Sequence, residues 1–596
     1  MEPCFVALLD LEGYRTVAVE ELRDGGALLR TLIPDSSTPV LIGAAEMARL
    51  LARLMLAAQA SAGSPATLCD SVCLAPAAPD RYRLLCGYQH EAVAEAALRL
   101  SIEFVTALLW QQPFDFDARL DELRNLADTR AIAPAAQALL QSAKERGIPV
   151  VQPEDDGRCF GLGWGVHQQQ FQAWPPMSDG WAPPLDTMFG ENNDGRIPVV
   201  AVTGTNGKTT TTQLITHVLR ACGARTGTTT TQGIYIDGHC VESGDCSGYW
   251  SAIRVLNDHA VEVATLETAR GGILKRGLAF DRCDVGVVLN VSGDHLGIDG
   301  VQTLQDLAHV KGLVARSARV AAVLNADDSL CVAMRDTLAP ECKAVFFAMD
   351  PRNPVLLEHL RQGGAAAFLD DDDWLVWCCE GKRLKVVSAA DLPCTLQGHA
   401  RHNTANALAA LASLSSIGYK ADAIARSLTH FVSDAKSNPL RGNLFEVDGV
   451  KLIVDYAHNV VAYRALCAMA RSMHKGAARL LGVVTSPGDR RSEDLYETGQ
   501  VCGNGFDELV VYEQHPRGRS AGTTTAEILR GARSAAPGKP LHGEPRIRQA
   551  LSLGLNAAHP GDMLVFTCAG TFDDLVEGVR LSNPAAAERI AREVSP

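Results

Sequence analysis

Apolar positions along the chain follow two regimes. In residues 1 to about 160 they recur at helical spacing over Ala44–Ala58 and Glu91–Leu109. A further helix, Pro134–Glu145, is followed by Gly147 and a short strand, Ile148–Val151. From Ile197 onward, short and nearly unbroken apolar runs alternate with helical segments. The first set is Ile197–Val202, Val261–Leu266, Val285–Val291 and Val320–Leu324; the second is Leu452–Val454, Leu480–Val484, Leu509–Tyr512 and Met563–Phe566. Strands that are apolar on both faces and separated by helices predict parallel sheets covered on both sides, hence an α/β fold. Residues 161–195, with GLGWG, WPPMSDGWAPP and GENNDG, have the composition of a linker. The break SNPLRGN at Ser437–Asn443 divides the α/β part. The expected organisation is a smaller α/β domain over 1–160, a linker over 161–195, a central domain over 196–436 and a last domain over 437–596.

Composition narrows the function classes. Of 596 residues, 47% are hydrophobic and 21% charged, enough apolar material for several cores and too much for a disordered chain. A net charge of −14 argues against the wide basic footprint of a nucleic-acid or anionic-membrane binder. No apolar run approaches a membrane span, and the opening MEPCFVALLDLEGYR has no basic stretch ahead of an apolar one, so a cytoplasmic protein is expected. The 17 cysteines are scattered without paired CxxC sets, which assigns them no metal or redox role. Asp370–Asp373 reads as a solvated turn before the strand-like Trp374–Cys378, and His90 and His167 stand alone.

Candidate chemistry concentrates at IPVVAVTGTNGKTTTTQLITHVLRACG. An apolar strand runs into Gly204, Thr205, Asn206, Gly207, Lys208, Thr209 and Thr210, and a helix continues to Cys222. Strand, glycine-rich turn and helix N-terminus make a phosphate cradle of backbone N–H groups; Lys208 reaches the outer phosphates and the Thr209 hydroxyl serves a magnesium ion. The first glycine of the general G-x-x-x-x-G-K-T pattern falls at Val202, so this is a variant P-loop. Downstream, Val261–Leu266 ends at Glu267, Val285–Val291 is followed by Asp294 and His295, and Lys311 lies on a helix that Thr303 and Asp306 can cap as a box.

TGTNGKTT resembles the ATP loop of the Mur ligases and folylpolyglutamate synthetases, which join an amine to a carboxylate through an acyl phosphate. The resemblance implies a P-loop-containing, parallel-sheet Mur ligase central domain and a Rossmann-like C-terminal domain. It implies ATP and Mg²⁺ as cofactors, with Thr209, Glu267, His295 and Lys311 around the metal and Lys311 in the place of the lysine that carries a carbamate ligand in many Mur ligases. Lys208, Glu267, His295 and Lys311 are then the catalytic set. Asn403 and Asn406 in GHARHNTANALAA resemble the adenine-side motif, Asp455 and His458 in DYAHN the ATP-contacting signature of the last domain, and Arg441 the arginine of the hinge.

Longer stretches are similar to the cyanophycin synthetase family: Leu266–Gly297, Leu324–Asp328, Ser486–Leu495 and Arg517–Arg519. That family places arginine on the side-chain carboxylates of poly-aspartate. Residues 1–160 resemble its N-terminal domain through FDFDARLDELRNLA and AKERGIPV. Here, however, GLGWGVHQQQFQA passes within about 25 residues to GRIPVVAVTG, too short for the family's ATP-grasp domain. The resemblance implies an isopeptide ligase acting on an amino acid and an acidic peptide or polymer, with Arg270, Asp489, Arg490, Arg517 and Arg519 holding substrates. The alternative is an accessory or inactive partner of a full-length cyanophycin synthetase. By family analogy a homo-oligomer, dimer or tetramer, is expected, with no nucleic-acid and no membrane partner.

Overall fold

The computed structural model describes residues 4–10, 17–18, 41–42, 44–66, 69–75, 78–110, 112–130, 134–151, 159–172, 184–191, 193–474, 478–567 and 571–595. The chain divides into two compact units, Met1–Arg196 and Ile197–Pro596.

In the first unit an antiparallel sheet has Ala78–Gly87 between Cys4–Asp10 and Cys69–Ala75. Tyr82, Leu84 and Cys86 alternate inward along the central strand, the period of a half-buried strand. They meet the helices Ala44–Ser61 and Glu91–Leu109, whose Met47, Leu51, Leu54, Val93, Ala97 and Phe104 are buried at helical spacing. His90 is not idle: its Nδ1 accepts from Ala92 N at 3.3 Å and caps the Glu91–Leu109 helix.

Part of the expected linker is folded. Cys159–Leu162 and Gln169–Gln172 pair with each other, and Cys159–Leu162 also pairs with Val150–Val151. The reason is visible in the side chains: Phe160 and Leu162 are buried against Ala136, Leu140 and Ala143 of the Pro134–Glu145 helix, with Phe171 beside them. Residues 173–183 of the expected linker lie outside the described residues.

The second unit carries two sheets. The larger has eleven strands, and its middle is parallel in the order Thr226–Thr230, Val263–Glu267, Val199–Thr203, Cys283–Val288, Ala318–Asn325, Lys343–Ala348, Ala365–Leu369. Antiparallel strands finish both edges: Gly233–Ile236 with His239–Ser243 on one side, Trp374–Cys379 with Lys382–Ser388 on the other. Asp370 serves the turn before Trp374, its Oδ1 accepting from Asp372 N and Trp374 N, as a solvated turn requires. The helices Lys208–Ala221 and Arg401–Ser416 close one face, with Leu214, Ile215, Val218, Leu408 and Leu411 fully buried.

The smaller sheet begins as a hairpin, Arg441–Val447 against Val450–Asp455. Asp448 and Gly449 turn it at φ 50° and 77°, the left-handed pair that a two-residue hairpin turn needs. Met563–Thr567, Leu480–Val484, Glu508–Val511 and Leu541–Gly543 follow in parallel. Among the described residues no helix is long and apolar enough to cross a membrane.

Candidate active site

Val199–Thr203 lies between Val263–Glu267 and Cys283–Val288; its own crossover runs to Thr226–Thr230 on one side, and that from Val263–Glu267 passes it to Cys283–Val288 on the other. Such a switch point opens a crevice at the strands' carboxyl ends, where α/β proteins bind ligands. The glycine-rich loop, Glu267 and Asn290 all stand there.

The loop is held from outside. Thr205 N and Asn206 N both donate to Asn290 Oδ1 at 3.0 Å, and Asn290 Nδ2 returns a bond to Asn206 O at 3.1 Å. Gly207 turns at φ 90°, and a Cβ there would collide with Asn406 Oδ1. Lys208 opens the helix and folds back, its Nζ donating to Thr205 O at 3.0 Å. Gly204–Thr210 therefore forms a cradle fixed by side chains from two other elements.

Thr209 and Glu267 come together as the sequence predicts. Thr209 Oγ1 donates to Glu267 Oε2 at 2.9 Å, and Thr231 N donates to the same oxygen at 3.1 Å. Glu267 Oε1 is buried with no hydrogen-bond partner. Burial pushes this carboxyl's pKa up, against the opposing charges of Lys208 and Arg441 and the Thr209 bond. A buried, unpartnered carboxylate oxygen beside a P-loop hydroxyl fits a divalent cation. Arg441 reaches the same place from the second sheet: its Nη2 lies 3.3 Å from Thr209 Oγ1 and 3.2 Å from Thr231 Oγ1, with the guanidinium 4.2 Å from the centre of the Tyr456 ring.

Lys311 is buried on the Leu304–Arg316 helix, which Thr303 and Asp306 do cap as a box. Burial, reinforced by Lys208, brings its amine down to about 7. An amine of that pKa is substantially neutral at neutral pH, the form that can be carbamylated.

His295 lines the same cavity as Thr209, Glu267 and Lys311. Its Nε2 accepts from Arg490 Nη2 at 2.9 Å, so the lone pair that would meet a metal faces a guanidinium. Burial, with the charges of Arg490 and His458, takes its pKa down to about 4. Among the described residues no group of three or more His, Cys, Asp or Glu side chains forms a metal cluster. The four expected metal residues thus include one joined pair, Thr209 with Glu267, and two residues with surroundings of their own.

Arg490, expected at the substrate, lines the cavity but is 4% exposed; it donates through Nε to Asp294 Oδ1 at 2.7 Å and through Nη1 to Asp489 Oδ1 at 2.6 Å. Asp294 also accepts from Asn459 Nδ2 at 3.2 Å and stands 3.4 Å from His458 Nε2. Burial works to raise the Asp294 pKa, but His458, Arg490 and His295 together hold it far below the carboxylate range. Arg519 braces the same loop, donating to Gly488 O at 2.8 Å and Ser492 Oγ at 3.1 Å. Arg517 pairs with Asp489 Oδ2 at 2.8 Å, and Arg270, 8% exposed, donates to Ile298 O and keeps Nε without a partner.

Asn403 positions rather than faces outward: its Nδ2 donates to Cys394 O at 2.8 Å and its Oδ1 accepts from Asn406 Nδ2 at 3.1 Å. Asp455 accepts from Ala457 N at 2.8 Å, and His458 Nδ1 donates to Tyr456 O at 2.9 Å. Sequence reasoning missed Thr231, Asn290 and Asn459. Asn459 exchanges two side-chain bonds with Asn206, at 3.0 and 3.3 Å, and so ties the phosphate loop to the Val460–Met473 helix it caps. Only its place at the end of DYAHN hinted at it.

Apart from Asn459, Ser492 and Arg519, the side chains named here around the phosphate loop and the last domain's loops line one cavity of about 1140 Å³, from Lys208 and Glu267 through Lys311 and Asn406 to Asp455 and Arg517. Residues 202–414 match the family described as Mur ligase middle domain, and residues 441–570 match Mur ligase, glutamate ligase domain. The chain belongs to the Mur ligase superfamily. It is 45% identical to the cyanophycin synthetase of Synechocystis sp. over 361 residues, 60% of this chain and 40% of that protein. With the cyanophycin synthetase of Geminocystis herdmanii the identity is 40% over 388 residues, 64% of this chain and 44% of that one. The UDP-N-acetylmuramoyl-L-alanyl-D-glutamate–2,6-diaminopimelate ligase of Geobacter metallireducens is 27% identical over 502 residues, 78% of this chain and 91% of that one. This chain thus spans less than half the length of the cyanophycin synthetases it matches.

Proposed function

We propose that the protein is an ATP-dependent carboxylate–amine ligase that extends or modifies an acidic peptide or polymer with an amino acid. The observation that carries this reading is the shared cavity: phosphate-loop residues Lys208 and Thr209 line it together with Arg441, His458 and Arg517 of the last domain. A kinase would need only the first group. Similarity to proteins named cyanophycin synthetase supports a side-chain carboxylate of an aspartate-rich chain as acceptor.

In this reading the loop N–H groups and Lys208 hold the β- and γ-phosphates of ATP. A magnesium ion held by Thr209 and Glu267 would neutralise charge on the transferring phosphoryl group. The acceptor carboxylate oxygen attacks the γ-phosphorus, the bond to ADP breaks, and an acyl phosphate forms. The neutral amine nitrogen then attacks the acyl carbon and phosphate leaves, giving an amide. Arg441, anchored on Tyr456, ties the two halves at the nucleotide. Their closure keeps water from the acyl phosphate.

The test is amide formation by mass spectrometry with MgATP, oligo-aspartate or oligo-glutamate peptides and a panel of amino acids, with Lys208→Ala alongside. A product heavier by one amino-acid residue, lost in Lys208→Ala, is expected. No product and no peptide-stimulated ADP release would overturn the reading in favour of an accessory partner of a full-length synthetase.

A further inference from the structure

The Thr209 hydroxyl, which serves the divalent cation in the reading above, is fully engaged by protein groups. A hydroxyl offers one hydrogen and two lone pairs. The hydrogen goes to Glu267 Oε2 at 2.9 Å, Thr231 Oγ1 lies at 3.0 Å, and Arg441 Nη2 donates at 3.3 Å. With the Thr209 hydrogen committed to the carboxylate, Thr231 is the donor of the second bond, and both lone pairs are taken. The same Nη2 donates to Thr231 Oγ1 at 3.2 Å. A guanidinium from the last domain thus holds two hydroxyls beside the buried Glu267.

A cation taken up at Thr209 Oγ1 needs one of those lone pairs. Of the two occupants, Thr231 is neutral, and its backbone N–H is fixed on Glu267 Oε2 at 3.1 Å. Arg441 carries a charge that a divalent ion repels. It also has other partners: the Tyr456 ring at 4.2 Å and Leu440 O at 3.2 Å both belong to its own domain. Asn438 Nδ2, bound to Thr210 Oγ1 at 3.2 Å, keeps the hinge segment on the phosphate-loop helix independently of Arg441. The guanidinium can therefore leave the hydroxyls while its segment stays.

We infer that Arg441 is a positioning residue that makes metal binding depend on the nucleotide. The inference rests on the nucleotide and metal part of the ligase reading above. Without nucleotide, a divalent ion at Thr209 must displace the guanidinium, which gains no partner in exchange. Phosphate oxygens supply that partner, because a guanidinium binds phosphate through charge-assisted hydrogen bonds. The exchange couples the two ligands, and such coupling is reciprocal.

The experiment measures Mn²⁺ binding to the full chain by paramagnetic resonance of the free ion, with and without a non-hydrolysable ATP analogue. It compares the native protein with Arg441→Met and Arg441→Lys, and Glu267→Gln marks the site. Arg441→Met should tighten nucleotide-free Mn²⁺ binding about tenfold and reduce the gain in Mn²⁺ affinity that the nucleotide confers by about the same factor. Arg441→Lys, which keeps the charge, should stay near the native values, and adding Glu267→Gln to Arg441→Met should abolish the tightening. Arg441→Gln gives the same reading if the methionine variant does not fold. A residue with a merely structural role would not tighten binding when removed. Nucleotide-free binding that is unchanged or weaker in Arg441→Met would overturn the inference, and the ligase reading would stand as long as the native protein binds nucleotide and Mn²⁺ together. A native protein that binds neither would remove both.

Discussion

Arg490→Met tests whether the buried pair Asp294–Arg490 joins the two sheet-bearing parts of residues 197–596. The substitution keeps a long stem and deletes the charge. In the native protein the closest N–O separation is 2.7 Å, with side chains 4% and 6% exposed. At that distance and an effective dielectric near 20, the Coulomb attraction is roughly 6 kcal/mol, and desolvating both ions cancels most of it. Removing one partner differs from removing both, because it strands a buried carboxylate, at a cost of about 3–5 kcal/mol. Asp294 would retain Asn459 at 3.2 Å and His458 at 3.4 Å, which places the expected loss near the lower bound, about 3 kcal/mol. Asp294→Asn should cost a similar amount, and the double variant about 2 kcal/mol less than the sum of the singles. Urea unfolding at pH 7 measures all four proteins. A pH series adds a sign. The native Asp294 pKa is depressed, so its stabilisation is present above the unfolded-state value of about 3.9 and is lost as pH falls below it. The gap between native protein and Arg490→Met should therefore narrow below about pH 4. Strictly additive single effects, or a gap unchanged by acid, would refute the reasoning.

Glu267→Gln keeps the shape of the buried carboxylate but removes the charge beside Thr209, and is expected to weaken magnesium-dependent nucleotide binding by about tenfold or more, read by titration with and without the metal. Gly207→Ala forces a Cβ into Asn406 Oδ1 at φ 90°; a loss of more than about 1 kcal/mol in stability is expected, with weaker nucleotide binding. Lys311 has a native pKa lowered to about 7, so between there and its unfolded value near 10.4 the unfolded chain binds the extra proton and stability rises with pH. Lys311→Met should flatten that rise in thermal unfolding measured from pH 7 to 10. His90→Ala removes the cap of the Glu91–Leu109 helix and should cost about 1 kcal/mol.

What the sequence made legible was local. A strand, a glycine-rich turn and a helix are written in consecutive residues, so Gly204–Thr210 and its helix could be placed from periodicity and turn chemistry alone. The same holds for the box at Thr303 and Asp306 and for Glu267 at a strand end. The edges of the large sheet were less legible, because exposed strands such as His239–Ser243 and Lys382–Ser388 carry too few apolar residues to stand out. The fold of residues 159–172 was hidden for a different reason: glycines dilute the alternation of Phe160, Leu162 and Phe171, which only the facing helix makes meaningful.

The ion pairs of Arg490 were hidden for the same physical reason on a longer scale. A DRR sequence in a loop carries the composition of a solvated or ligand-gripping segment, and no spacing rule connects it with an aspartate 196 residues away. Burial of Arg490 follows from the approach of the two sheets' carboxyl ends, which brings Asp294 to it across the cleft, while its chain neighbour Asp489 binds it from its own loop. The same approach sets Asn459 against Asn206 and Arg441 against Thr209 and Thr231, so these ties end on the phosphate loop or on the strand end beside it, and those of Asp294 and His295 on the segment Asn290–His295 that braces it. Two domains joined at the nucleotide cradle through side-chain hydrogen bonds and one buried ion pair can separate by exchanging those bonds for water, at far less cost than opening an apolar core. The polar character of the cleft is thus what lets it open at small cost, and it explains why the residues that matter there are asparagines and ion pairs that carry no periodic signature in the chain.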